Sequence, residues 1–151
     1  KNRYGLADWA DDLGKYQVIY NGVDFKDVVQ PTLSPVSGPE GKSSSRRRLL
    51  SVGFLRPDKG HKVVLQALPA LIRDFPDLEY RIVGDGSERA GLEEQCRELG
   101  LASHVLFLGS LPHPQAMQEM AECETFVLPS WNEAFGVVYL EAMAHGKQAR
   151  D

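Results

Sequence analysis

From Arg48 onward the apolar positions alternate between short continuous runs and helical stripes. RLLSVGFL (48–55) is a run of strand length. It is followed from Lys59 to Phe75 by Val63, Val64, Ala67, Leu68, Leu71, Ile72 and Phe75, which recur at the three- and four-residue spacing of one helix face. Pro69 lies inside that stripe and is expected to kink or divide the helix, because an interior proline costs about 3 kcal/mol. LEYRIVG (78–84) predicts the next strand and Ser87 to Leu99 the next helix, with Gly100 as its C-cap. HVLFLG (104–109) reads as a third strand, Pro114 to Glu122 as a short helix and TFVLP (125–129) as a fourth strand. Gly136 to about His145 predicts a last helix. Strands rich in Val, Leu and Ile that alternate with helices imply a parallel sheet covered on both faces. The expected class is α/β, a Rossmann-like doubly wound parallel sheet.

The first third of the chain is patterned differently. Residues 1–16 are mixed, and YQVIY (16–20) predicts a short strand stopped by Asn21-Gly22. Residues 30–45, rich in proline, glycine and clustered serines, read as a flexible loop. The expected organisation is therefore a remnant or interdomain segment over 1–16 and one domain over 17–151. A length of 151 residues suits one domain with a hydrophobic core.

Composition changes this picture little. Apolar residues are 42% and charged residues 25%, ordinary for a globular protein, and a net charge of −4 argues against a nucleic-acid binder. The one basic run, Arg46-Arg47-Arg48, is expected at a solvated edge. Two cysteines, Cys96 and Cys123, lack CxxC spacing, so a reducing, cytoplasmic setting is the default. No apolar stretch has the length of a membrane span.

Ligands of open parallel sheets bind beyond the carboxyl ends of the strands, and three segments fall there. In GFLRPDKG (53–60), Gly53 permits close backbone approach, while Arg56 and Lys59 bring cations to a helix start suited to a phosphate. A turn with solvated charges is the plain alternative, and the GxxxxGK[ST] order of a P-loop is absent. VGDGSERAG (83–91) lacks the third glycine of a dinucleotide fingerprint and is explained by a tight turn, with Asp85 or Ser87 near the helix cap. The third is WNEAFGVVYLEAMAHG (131–146). There Glu133 precedes a Phe135-Gly136 turn whose following amides, at Gly136 and Val137, suit an anion, and Glu141 lies in an apolar helix. Such a carboxylate calls for a partner or a ligand hydroxyl, unless it simply faces water. His61, His104, His113 and His145 share no ligand spacing and carry no expected role. No acidic pair is placed to hold a metal-bound diphosphate.

The ordered series NGVD (21–24), SVGFLRPDKG (51–60), YRIVGDGSER (80–89), VLFLGSL (105–111) and FVLPSWNEAFGVVYLEAMAHG (126–146) resembles the C-terminal, donor-binding domain of GT-B glycosyltransferases. It is most similar to the retaining family 4 (group 1) type, whose hallmark is a glutamate pair with seven residues between, here Glu133 and Glu141. The resemblance implies a nucleotide-sugar donor carrying UDP or GDP. It also implies transfer of a hexose-type sugar to a glycan, lipid or polysaccharide acceptor, with no cofactor or metal. Carried over residue by residue, it implies that Lys59 neutralises the donor diphosphate, and that Glu133, the catalytic-centre residue, binds hydroxyls of the transferred sugar. Phe135, Gly136 and Val137 would bind sugar or phosphate oxygens through their amides, and Glu141 would accept from the ribose. The base would lie against backbone near Phe107, Leu108, Gly109 and Ser110.

Three departures accompany the resemblance. Phe54 stands where the family usually has arginine, leaving Arg56 as a substitute cation beside Gly53. Where the family continues GxPVI into another strand, this chain reads HGKQARD, so the sheet is expected to be truncated before its last strand. The N-terminal Rossmann domain that binds the acceptor is missing from this stretch, and the expected fragment is inactive without it. A truncated remnant, or a stand-alone nucleotide-binding or interaction module, is the alternative. Peripheral membrane association of the parent enzyme is compatible with this reading, and no nucleic-acid partner is expected.

Overall fold

The computed structural model describes residues 47–133 and 135–150, with the side chains of 148–150 outside the description. The strand expected at 16–20, the loop at 30–45 and the NGVD motif therefore lie outside the described residues. Among the described residues five strands alternate with four helices: β1 (Arg48–Val52), α1 (His61–Asp74), β2 (Glu79–Val83), α2 (Arg89–Glu98), β3 (Val105–Gly109), α3 (His113–Glu122), β4 (Thr125–Val127), α4 (Val137–Ala144) and β5 (Gln148–Arg150). The sheet order is β3-β2-β1-β4-β5 and every pairing is parallel. This is the doubly wound α/β sheet that the alternation of periods predicts, with element ends shifted by up to three residues.

Alternate strand residues feed two cores. Tyr80, Ile82 and Val105 pack with Val64, Leu65 and Leu68 of α1 and Leu92 and Cys96 of α2 on one face. Leu50, Val83 and Phe126 pack with Ala116, Met117 and Met120 of α3 and Ala142 of α4 on the other. Within the sheet, the buried Ser51 hydroxyl hydrogen-bonds the Tyr80 hydroxyl at 2.7 Å and donates to the Val127 carbonyl, tying the two flanking strands to β1. Gly100, at φ 69°, closes α2 in the expected way: its amide donates to Arg97 O and that of Leu101 to Cys96 O.

Three expectations fail here. Helix α1 is not divided at Pro69, which lies on the exposed side, where water can serve the carbonyl deprived of its donor. A further strand follows α4 where none was expected, because Gln148, Ala149 and Arg150 pair with Thr125, Phe126 and Val127. Parallel pairing is made by backbone groups, so a polar tripeptide can add to an edge without the apolar signature of a central strand. Of the basic run, Arg46 lies outside the described residues, and Arg47 and Arg48 are not merely solvated. Arg48 bonds Glu122 at 2.6 Å and lies 3.9 Å from the buried Glu79, and the Arg47 guanidinium stacks 4.5 Å from the Phe75 ring centroid.

Candidate functional site

Successive strands run outward from β1 to β3, and the chain then returns to β4 on the other side of β1. The order therefore reverses between β1 and β4, which opens a crevice at their carboxyl ends. The loops there are zipped together by backbone. Gly53 N–H donates to Val83 O at 3.0 Å, Leu55 N–H to Asp85 O at 3.0 Å and Glu88 N–H to Leu55 O at 2.9 Å. Gly84 has φ 139°, and a Cβ on it would stand 1.9 Å from Gly53 O, so this contact admits only glycine. Asp85 does not cap α2, since its carboxylate accepts from the adjacent Gly86 N–H at 2.8 Å.

On the β4 side, Gly60 has φ 72° and would place a Cβ 2.2 Å from Pro129 O. The Trp131 N–H donates to Asp58 O at 3.1 Å across the same seam. This close approach brings Lys59, in a 3-10 turn over Pro57–Lys59, against the loop that carries Glu133. Lys59 Nζ lies 2.5 Å from Glu133 Oε2, although 74 residues separate them. Gly136, at φ 62°, turns the chain into α4. The first amides of any helix have no partner within it, so this start offers donors beside the Lys59–Glu133 pair. Phe54, Trp131 and Phe135 are all exposed around it, Phe135 by 75%.

A cleft of about 290 Å³, which neither Lys59 nor Glu133 lines, is bounded by Val52, Gly53 and Phe54, by Val83, Gly84 and Asp85, by Ser110, Leu111, His113, Ala116 and Met117, and by Glu141. Gly53 and Glu141 of the expected site thus share one wall system. Glu141 turns its carboxylate toward α3, where His113 Nε2 lies 3.1 Å from Oε1. Sequence spacing left His113 without a role. It occupies the first position of α3 and reaches Glu141 only because α3 and α4 pack side by side.

Other expected site residues are placed apart from this cleft. Arg56 is largely exposed and bonds both oxygens of Asp58, at 2.9 and 3.0 Å. Phe107 packs against the α1/α2 core with the Arg89 guanidinium 5.9 Å from its ring centroid, and Leu108 packs against the other core. Gly109, at φ 70°, accepts from Gly84 N–H at 2.8 Å, so within 107–110 Ser110 is the cleft-lining residue. His61 is buried beside this seam, its Nε2 3.3 Å from Phe54 O and its Nδ1 without a partner. Burial holds its pKa below the ordinary 6.5, the Phe54 carbonyl opposes that shift, and the Lys59 charge adds to it. Among the described residues, no group of three or more His, Cys, Asp or Glu is placed to hold a metal, and no helix is long and apolar enough to cross a membrane.

The family model described as Glycosyl transferases group 1 matches residues 37–149. Glycogen synthase of Mycobacterium tuberculosis is 34% identical over 134 residues, covering 89% of this chain and 31% of that protein. The phosphatidyl-myo-inositol mannosyltransferase of Mycolicibacterium smegmatis is 37% identical over 130 residues, covering 85% and 32% respectively. The chain thus spans about a third of the length of these curated relatives. Among solved structures, Anabaena Alr3699/HepE in complex with UDP aligns with TM-score 0.68 at 28% identity, over 88% of this chain and 37% of that one. The C-terminal domain of LpcC from Francisella tularensis aligns with TM-score 0.69 over 85% of this chain and 69% of that one, a likeness of fold at 21% identity.

Proposed function

Since the chain belongs to the Glycosyl transferases group 1 family, of GT-B type, we propose that it binds the nucleotide-sugar donor of a retaining, family 4 type hexosyltransferase. The carrying observation is the placement of the two glutamates of α4 and its entry loop. Glu133 stands against Lys59 at the helix start, and Glu141, on the same helix, faces the neighbouring cleft. A solved neighbour at 28% identity holds UDP, which supports a nucleotide in this crevice.

In this reading Lys59 and the amides of Phe135, Gly136 and Val137 take the donor diphosphate. Their fixed charge and dipoles stabilise the negative charge that grows on it as the sugar departs. Glu133, released from Lys59 by the arriving phosphates, accepts from hydroxyls of the transferred sugar. Glu141 accepts from the ribose, and the base lies against the backbone that ends at Ser110. The nucleotide-sugar is a co-substrate, with no resident cofactor or metal assigned. Transfer to a glycan, lipid or polysaccharide acceptor requires a second, acceptor-binding domain, so the fragment is inactive by itself. A cytoplasmic setting, with the parent enzyme in peripheral contact with a membrane, fits two buried free cysteines and the lipid-named acceptor of one relative.

Titration calorimetry with UDP, GDP and ADP tests the assignment. One of them is expected to bind, with Glu141→Ala weakening it roughly tenfold and Glu133→Ala not weakening it, because these nucleotides carry no transferred sugar for Glu133 to hold. Equal effects of the two substitutions would sink the ribose role of Glu141, and no binding of any nucleotide at millimolar concentration would sink the site.

A further inference from the structure

Glu141 is held by two histidines on two elements. His145 Nδ1 lies 2.8 Å from the Glu141 backbone carbonyl at the end of α4, and the His145 amide donates to the same oxygen. His113, at the start of α3, meets the carboxylate itself at Oε1. The Glu141 side chain is only 16% exposed, so the carboxylate has surrendered most of its hydration, whereas the His113 ring is 54% exposed. Among the described residues Oε2 of Glu141 has no protein partner. Both helices are anchored beneath the pair, α3 through the buried Ala116 and Met117 and α4 through the buried Ala142.

We propose that His113 is a positioning residue for the ribose subsite, binding Glu141 Oε1 so that Oε2 is presented to vicinal hydroxyls of the ligand. The inference rests on the nucleotide-site reading above and adds to it a residue and a division of labour between the two carboxylate oxygens. The imidazole Nε2–H donates to Oε1, which fixes the carboxylate rotation that a three-bond side chain would otherwise sample. A vicinal diol offers two donors, and an acceptor held in one orientation meets them without first losing that freedom. Removing the histidine leaves Glu141 in place but free to turn. The loss should fall on ligands with ribose hydroxyls and spare those without them.

The test is calorimetric binding of whichever of UDP, GDP and ADP the wild-type chain binds best, alongside its 2′,3′-dideoxy counterpart. His113→Ala should weaken the ribonucleotide roughly tenfold and leave the dideoxynucleotide within about twofold. His113→Gln, which keeps an N–H donor on a side chain of similar reach, should restore most of the ribonucleotide affinity. Equal weakening of both ligands in His113→Ala would mark a merely structural residue and overturn the proposal, as would an unchanged ribo-to-dideoxy ratio. Failure of the wild-type chain to bind any nucleotide would remove the underlying site, and the inference with it. Wild-type binding with an unmoved ratio removes the inference alone.

Discussion

At its first residue helix α3 offers His113 to Glu141 across an open cleft, while toward its other end Glu119 and Glu122 are committed to arginines of the sheet. The far cluster is closed on itself. Arg81 bonds Glu79 at 2.6 Å and Glu119 at 2.8 Å, and Arg48 bonds Glu122 at 2.6 Å. Burial opposes the charge on Arg81, but the hydrogen bonds it donates to Glu119 and Glu79 outweigh it and raise its pKa. At the His113 end the charges come as two separate pairs, Lys59 with Glu133 at the start of α4 and His113 with Glu141, the second of which lines a space a ligand can enter. The contrast teaches that charge on a helix does not mark a site. What marks it is a charged pair with acceptor capacity left over beside open volume.

Breaking the closed cluster should give the largest effect. Arg81→Ala leaves the buried Glu79 without its nearest cation and is expected to lower unfolding stability by about 3 kcal/mol. Urea denaturation measures this, and the nucleotide affinity of the folded fraction should not change. A loss below about 1 kcal/mol would show the cluster to be no different from an exposed ion pair. At the other end the sign of the functional effect reverses. Glu133→Gln should leave stability within about 0.5 kcal/mol and tighten binding of a nucleoside diphosphate about threefold, because Lys59 no longer has a competing carboxylate. That gain should shrink as salt is raised, and weaker binding in the variant would refute a competing pair.

The smallest effect is one of pH, and it belongs to the cleft end, where His61 is buried beside Lys59. Its folded-state pKa lies below 6.5, so between the two values the unfolded chain binds more protons than the folded one. The contribution of His61 to stability is therefore fully present above about 6.5 and is lost as pH falls toward the folded value. Thermal melting across pH 5 to 8 should show this slope, and His61→Gln should flatten it. Arg81 stays charged over the whole range and contributes no such slope.

Much of the fold was legible because its signals are local. Val64 and Leu68 of the expected helical stripe are buried, although Val63, Leu71 and Phe75 of the same stripe are exposed and the buried Leu65 lay outside it, and the glycine after α2 adopts the left-handed backbone of a helix end. Glu133, Glu141, Lys59 and Gly53 were legible as post-strand residues of a parallel sheet. Pro69 misled because its cost depends on whether its side of the helix meets water, and β5 was hidden because Gln148 and Arg150 pair through their backbone. His113 carried no signal at all: 28 residues separate it from Glu141, and only the packing of α3 beside α4 joins them.

The sequence by itself determined the order and type of the elements, and through them a doubly wound sheet whose loops carry the chemistry, because periodicity and turn residues act within a few positions. Tertiary structure decided the partnerships. Lys59 meets Glu133 because Gly60 lets one loop approach Pro129 closely, His113 meets Glu141 because two helices share a core, and Arg48 is drawn from a basic run into an ion-pair cluster around the buried Glu79. Each of these depends on distances set by the packing of residues far apart in the chain, which no local pattern encodes.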